Sequence, residues 1–368
     1  MKTFVTKIVI LFGMLCGLPL LGVWIAGFEV RQYLEFPPVT RYVQHAPFSW
    51  KVFCIYAFLI LAWSLPLLWY WVTHRSAALP NSATRKNFPW WGWIGIGLLC
   101  VSWILAWTRF QWFSVLQRHS FTPLWIGLIL IVNALCYKRT GSCLMTARPR
   151  FFILLFPVSA FFWWFFEYLN RFVQNWYYVN NTNEPFEYFL FATLPFSTVL
   201  PAVLSVREWM LRSHQLDCFS SFIPIKTGHP RSLALGMLVL AGLGLAGIGV
   251  WPNLIFSLLW VSPLLIIVAV ETFLSERHIL SDFVDGDWHV IIASTLAALV
   301  CGFFWEMWNM YSLSRWIYSV PYVHVFKIFE MPLLGWAGYL PFGLECAVVG
   351  SMVDRILIKH QGPKTLKN

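Results

Sequence analysis

Residues 289–309 read HVIIASTLAALVCGFFWEMWN, an apolar run that is interrupted near its end by one carboxylate and one amide. A helix of about 20 mostly apolar residues is long enough to cross the hydrocarbon core of a bilayer. Glu306 and Asn309 are three residues apart, so on such a helix they share one face. The stretch therefore predicts a membrane span that carries two polar side chains near one end.

The composition of the whole chain agrees with this local prediction. Of its 368 residues, 59% are hydrophobic and 11% are charged, whereas soluble domains carry about 25% charged residues. So few charges cannot cover the surface of a soluble protein, and the high apolar content excludes disorder. The sequence predicts an all-α, polytopic integral membrane protein.

Ten segments are apolar and long enough to be transmembrane helices. They are roughly 5–26, 52–73, 90–109, 121–137, 151–170, 187–206, 232–250, 253–273, 289–309 and 332–353. If the N-terminus is inside, 18 of the 26 Lys and Arg residues fall on the inner side. Basic residues are enriched in cytoplasmic loops, so both termini are expected in the cytoplasm. The expected location is a bacterial plasma (inner) membrane.

A weak internal repeat divides the chain. Residues 165–170 (FFEYLN) match residues 304–309 (FWEMWN), and further on Leu194-Pro195-Phe196 matches Leu340-Pro341-Phe342. A unit with an even number of helices is repeated with the same orientation. The repeat predicts two N-terminal helices in 1–87 and a parallel duplication of a four-helix unit. The first unit would be 88–213, and the second would be 214–368 with a short basic cytoplasmic tail.

The matched polar residues are the first candidates for a functional site. Ionisable groups inside a bilayer cost about 2.5–3.5 kcal/mol at a helix centre, so they are rare and often functional. Glu167 and Glu306 are candidate acids or bases, and Arg171, on the same helical face, offers a structural alternative as the partner of Glu167. If the two units face each other, both carboxyl groups are expected beside one cavity that opens to the outer side. The residues expected to bind a substrate there are Asn170, Asn309, Trp176, Tyr178, Trp305, Trp316 and Tyr318.

Glu345 is the third candidate acid or base, because it lies near the middle of the last apolar segment. A carboxyl group there must be neutral, paired or exposed to a wet cavity. The structural alternative is a hydrogen bond between helices. Glu271, near the end of another segment, is expected at the membrane interface.

Segment 28–51 is too polar to span a membrane, and its mixture of aromatic and basic residues is typical of a surface segment. It is expected to lie on the outer side, over the mouth of the cavity. The His residues lack the spacing of metal ligands and none lies deep in a span, so neither a metal site nor haem is expected. No cofactor and no nucleic-acid partner is expected either.

The Trp305-Glu306 pair is similar to the acid site of membrane-embedded terpenoid or carotenoid cyclases. That resemblance implies a protonated carboxyl group that starts a cyclisation, with aromatic faces that stabilise a carbocation. The sequence favours an enzyme or binder that acts on an amphipathic lipid or isoprenoid from the outer leaflet. Whether it catalyses a reaction, and its oligomeric state, stay open.

Two other functions remain open. The first is a proton-coupled secondary transporter, which the repeat and Glu345 favour. The second is a non-catalytic subunit of a membrane complex. The second alternative predicts an exposed groove, with Glu167 and Glu306 satisfied by Arg or by the backbone.

Overall fold

The computed structural model describes residues 2–38, 40–75, 86–180 and 184–360, with side chains between 6 and 358. The predicted basic tail after 360 and the inner loop 76–85 lie outside the described residues, and with them Arg85, Lys364 and Lys367.

The described chain is mainly helical, with four short strands. The helices are α1 (Lys2–Ile25), α2 (Trp50–His74), α3 (Trp90–Trp107), α4 (Phe121–Thr140), α5 (Leu144–Ala147), α6 (Pro149–Val173), α7 (Pro185–Phe196), α8 (Val199–Leu211), α9 (Pro230–Gly247), α10 (Pro252–Ile255), α11 (Ser262–Phe273), α12 (His289–Tyr311) and α13 (Tyr339–His360). The strands are β1 (Trp176–Val179), β2 (Arg315–Tyr318), β3 (Lys327–Ile328) and β4 (Met331–Pro332).

Nine helical segments within the described residues are long and apolar enough to cross a membrane, and α7 and α8 together form one of them. A tenth candidate is the pair Pro252–Trp260 and Ser262–Phe273, which is bent by 53°. Each of the ten apolar segments coincides with one of these elements. The prediction of an integral membrane protein with about ten apolar helices is therefore confirmed, and the break in the eighth span is new.

Strands β1 and β2 pair antiparallel and join the two halves of the chain. Trp176 lies opposite Tyr318, and Tyr178 lies opposite Trp316. A half-turn about the Tyr177–Ile317 pair exchanges Trp176 with Trp316 and Tyr178 with Tyr318. The sequence repeat aligns the same residues when one residue is inserted in the second unit. We call the end of the helix bundle that carries β1 and β2 the strand face.

A buried ion pair fixes the N-terminal helix to the bundle. Lys7 in α1 is only 2% exposed, and its Nζ lies 2.7 Å from Glu271 Oε1 and 2.5 Å from Glu276 Oε2. Glu271 itself is fully buried. Its counter-charges come from Lys7, which is distant in sequence, and from Arg355, whose Nη1 lies 2.9 Å from Glu271 Oε1. The expected place of Glu271 at the membrane interface stays a prediction.

Residues 28–49, which we call the strap, cross the strand face before α2 begins. Arg171 at the end of α6 donates hydrogen bonds to the backbone carbonyls of Gln32, Glu35 and Pro37. Its guanidinium therefore holds the strap and forms no hydrogen bond with Glu167. On the other half of the chain, Ser319 donates to the carbonyl of Val43 across 2.9 Å.

Candidate functional site

A cavity of about 1060 Å³ lies between the two halves of the chain. Residues from α2, α7, α12, α13 and both strands β1 and β2 line it. All five aromatic residues that the sequence proposed as ligand-binding are among them: Trp176, Tyr178, Trp305, Trp316 and Tyr318. The remaining lining is largely apolar, so the cavity suits a molecule with a large hydrocarbon part.

The cavity is long as well as large. On α12 its lining runs from Ile291 to Trp305, which corresponds to about 20 Å along a helix axis. Helix α2 supplies another wall and has no buried residue of its own. Polar contacts tie α2 to the bundle near its two ends, through the Tyr56 hydroxyl to Ser257 and through the Trp71 indole to the carbonyl of Gln215.

Glu167 lies directly behind the cavity wall and is fully buried. Its Oε1 accepts hydrogen bonds from Trp163 Nε1 at 3.0 Å, Trp176 Nε1 at 3.1 Å and the Tyr178 hydroxyl at 2.6 Å. Burial raises the pKa of Tyr178 well above its usual value, so this phenol stays protonated and donates. All three donors line the cavity, and one layer of side chains separates the carboxyl group from it.

Glu306 occupies the corresponding place in the second half and is also fully buried. Its Oε1 accepts from the Tyr318 hydroxyl at 2.7 Å and the Tyr339 hydroxyl at 2.8 Å. Trp316 Nε1 donates to the Tyr318 hydroxyl at 2.9 Å, so here the indole reaches the carboxyl group through a phenol. Oε2 of both carboxyl groups lacks a partner among the described residues.

The two asparagines bind backbone rather than the cavity. Asn170 Nδ2 donates to the carbonyl of Trp176 at 2.8 Å, and Asn309 Nδ2 donates to the carbonyl of Trp316 at 2.8 Å. Each Oδ1 in turn accepts a backbone N–H at the start of the strand. Both side chains are fully buried. The asparagines therefore fix the strand backbones that present the aromatic rings.

One pair of positions differs between the halves in a compensating way. The offset of 139 residues that aligns Glu167 with Glu306 also aligns Trp163 with Gly302. A side-chain carbon on Gly302 would lie 2.5 Å from the ring of Tyr339. The missing side chain on α12 thus leaves room for Tyr339, which the repeat aligns with the smaller Thr193. Trp163 and Tyr339 therefore play the same part from different helices. Trp163 lies on α6, the helix that carries Glu167, whereas Tyr339 lies on α13 and reaches Glu306 on α12.

Glu345 lies apart from this arrangement. It is 1% exposed, and neither carboxyl oxygen forms a hydrogen bond of normal geometry within the described residues. The polar group that faces it is the backbone of Leu264, at the start of α11. The structure therefore brings Glu345 to the break in the eighth span and not to the cavity wall.

Sequence reasoning missed four residues of the site: Trp163, Tyr339, Asn175 and Tyr188, all of which line the cavity. Trp163 was accessible to it, since a residue four positions before Glu167 shares its helical face. The other three are brought to the cavity by a turn or by another helix. No group of three possible metal ligands was found among the described residues.

These features define a class: an integral membrane protein with an aromatic-walled cavity that is backed by two buried carboxyl groups. Comparison of the chain with family models, curated proteins and solved structures found no match.

Proposed function

We propose that this protein binds an amphipathic lipid or isoprenoid in the cavity. The observation that carries the proposal is that aromatic residues from both halves of the chain line one largely apolar space of about 1060 Å³. Ligand pockets combine an apolar lining with a few placed polar groups, and the phenols and indoles of this wall provide such groups.

The proposal gives the carboxyl groups a chemical role. Glu167 and Glu306 hold the hydroxyl groups of Tyr178 and Tyr318, and these phenols separate the carboxyl groups from the cavity. A proton can pass between carboxyl group and ligand through such a phenol. The surrounding aromatic faces favour a positive charge that develops on the ligand. Asn170 and Asn309 act as positioning residues.

We also propose that the strand face is the outer side of a plasma membrane and that the two halves arose by duplication. The distribution of basic residues supports the orientation. The half-turn register of β1 and β2 and the matching contacts of the two asparagines support the duplication. The ligand then reaches the cavity from the outer leaflet.

Mass spectrometry of small molecules that copurify in mild detergent tests the binding function. The comparison is wild type against the double variant Glu167→Gln with Glu306→Gln. Glu187→Gln is the matched control, because Glu187 is exposed on α7. We expect one discrete lipid or isoprenoid in wild type and control, which is lost or chemically altered in the double variant. The same bulk lipids in all three proteins would remove the basis of the proposal.

Glu345 favours a second candidate, proton-coupled transport. An unpaired carboxyl group at a break in a membrane helix is a feature of transporter sites, and the bent pair provides such a break. Substrate flux into proteoliposomes under a proton gradient tests this function. If Glu345→Gln abolishes the flux, transport is favoured over binding alone. If the flux through both proteins is the same with and without the proton gradient, this function is excluded.

A further inference from the structure

The charge of the cavity limits the ligands that it can hold. Among the lining residues that the structure describes, Arg118 is the one with a charged side chain, and it already has an interaction partner. A diphosphate or a phospholipid headgroup is normally held by several charge-assisted hydrogen bonds. An apolar cavity with one engaged cation does not provide them. This lining therefore favours a ligand whose polar end is uncharged.

Asn175 offers a binding group for such an uncharged end. It is 4% exposed and lines the cavity, yet its Oδ1 has no hydrogen-bond partner among the described residues. Its backbone is held firmly: its N–H donates to Asn170 Oδ1, and its carbonyl accepts from Ser319, both at 2.8 Å. A buried amide oxygen without a partner is unfavourable. Since the two ends of an amide can exchange, this side chain can present either a donor or an acceptor.

Tyr188 supplies a second group from α7. It lines the cavity, and its ring centre lies 6.3 Å from that of Tyr178. Its hydroxyl forms no hydrogen bond with another described residue, in contrast to Tyr178, Tyr318 and Tyr339, whose hydroxyls are held by the carboxyl groups. Asn175 immediately precedes β1, so one of these groups lies at the strand-face end of the cavity.

We propose that the cavity holds an elongated, uncharged molecule with a hydroxyl or carbonyl oxygen at its strand-face end. Asn175 and Tyr188 bind that oxygen, and the hydrocarbon part extends along α2 and α12 over the length of about 20 Å that a helix of this extent spans. This inference rests on the proposed binding function and narrows it to one chemical class. It assigns the first half of the chain to recognition of the polar end.

The test uses the purified full chain and three probes that differ only at one end: geranylgeraniol, its diphosphate and the corresponding hydrocarbon. Quenching of tryptophan fluorescence measures binding. We expect the alcohol to bind at least about tenfold more tightly than either other probe, the change that one buried hydrogen bond gives. Asn175→Leu and Tyr188→Phe should each remove most of that preference and leave the affinity for the hydrocarbon unchanged. Tyr177→Phe, on β1 but outside the cavity lining, is the matched control and should behave as wild type.

The outcomes separate the two proposals. If none of the three probes binds, both the binding function and this inference fail. Binding of the diphosphate that equals or exceeds that of the alcohol keeps the binding function and overturns the uncharged class. Equal losses for alcohol and hydrocarbon in both variants would mean that Asn175 and Tyr188 support packing, which overturns their assignment. Tyr188→Phe removes a single oxygen, so a folding defect in Asn175→Leu does not leave the inference untested.

Discussion

Both buried carboxyl groups accept hydrogen bonds from aromatic side chains, but the set of donors differs between them. Glu167 accepts two indole N–H groups and one phenol, whereas Glu306 accepts two phenols. The difference arises where Trp163 on α6 is replaced by Gly302 on α12 and Tyr339 fills the space from α13. Both halves keep a phenol that donates to the carboxyl oxygen, from Tyr178 or Tyr318, whereas the second ring beside that oxygen comes from a different helix in each half.

The two sets of donors also differ in their hydrogen-bonding capacity. An indole N–H can only donate a hydrogen bond, whereas a phenol can donate and accept. Two groups that can pass a proton touch Glu306, and one touches Glu167. Under the proposed function, Glu306 is therefore the better placed of the two for proton exchange with a ligand, which variants in each half can test.

The largest loss of stability is expected for Asn170 and Asn309, which make the same contacts in the two halves. Asn170→Ala and Asn309→Ala each leave a backbone N–H and a carbonyl of a strand without a partner. Each variant should lower the free energy of unfolding by about 3 kcal/mol, measured by denaturation in mixed micelles. Asn87→Ala is the control because Asn87 is exposed, and it should cost less than about 1 kcal/mol. A large loss in only one of the two variants would show that the halves are not equivalent.

The next largest loss of stability is expected at Gly302, where the two halves differ in sequence. Gly302→Ala places a carbon 2.5 Å from the ring of Tyr339, and overpacking of this kind costs about 2 kcal/mol. Gly236→Ala on α9 is the matched control, because a carbon added there meets no atom within 4 Å. The loss from Gly302→Ala should shrink when Tyr339→Thr is also present, as in the first half. An undiminished loss in that background would contradict the compensation.

A smaller effect compares single donors. Tyr339→Phe leaves Glu306 Oε1 with one hydrogen bond, while Tyr178→Phe leaves Glu167 Oε1 with two. We expect losses of about 1.5 and about 1 kcal/mol in the free energy of unfolding. The proton-exchange argument requires a second result: any chemical change to a bound ligand should be lost with Tyr339→Phe and retained with Tyr178→Phe. The reverse order would move the reactive carboxyl group to the first half.

The smallest effect on global stability concerns the strap. Within the part of the chain that the structure describes, the arginine that holds it comes from the first half. Arg171→Gln removes hydrogen bonds to three strap carbonyls, whereas the aligned residue in the second half is Met310. Because the strap is peripheral, the global loss should be below about 1 kcal/mol, while proteolysis within 28–49 becomes faster. Met310→Gln serves as the control. Unchanged proteolysis in Arg171→Gln would show that other contacts hold the strap.

The spans and the aromatic wall were predictable from sequence for different reasons. Membrane helices follow from length and hydropathy, which are properties of consecutive residues. The repeat indicated Trp176, Tyr178, Trp305, Trp316 and Tyr318, since it marked polar and aromatic positions that occur twice. All five line the cavity.

Other features depend on contacts that sequence does not encode locally. Trp163 and Gly302 are a mismatch when the sequences are aligned, and the compensating residue, Tyr339, lies on another helix. The pairing of Lys7 with Glu271 joins residues that are 264 positions apart. From the sequence alone, the amides of Asn170 and Asn309 were equally consistent with binding a ligand. In the structure they bind the backbones of the two strands.

The ladder between β1 and β2 has a consequence for assembly. A half-turn about the Tyr177–Ile317 pair exchanges the two strands and leaves their register unchanged. If the two halves arose by duplication, as proposed, a chain with one unit alone would carry an unpaired strand edge, and a second copy of itself would fit that edge with the same register. In such a single-unit chain this pairing would build a homodimer, whereas here it is made within one polypeptide. The two halves are thereby held at a fixed one-to-one ratio, and each is free to change its side of the cavity independently.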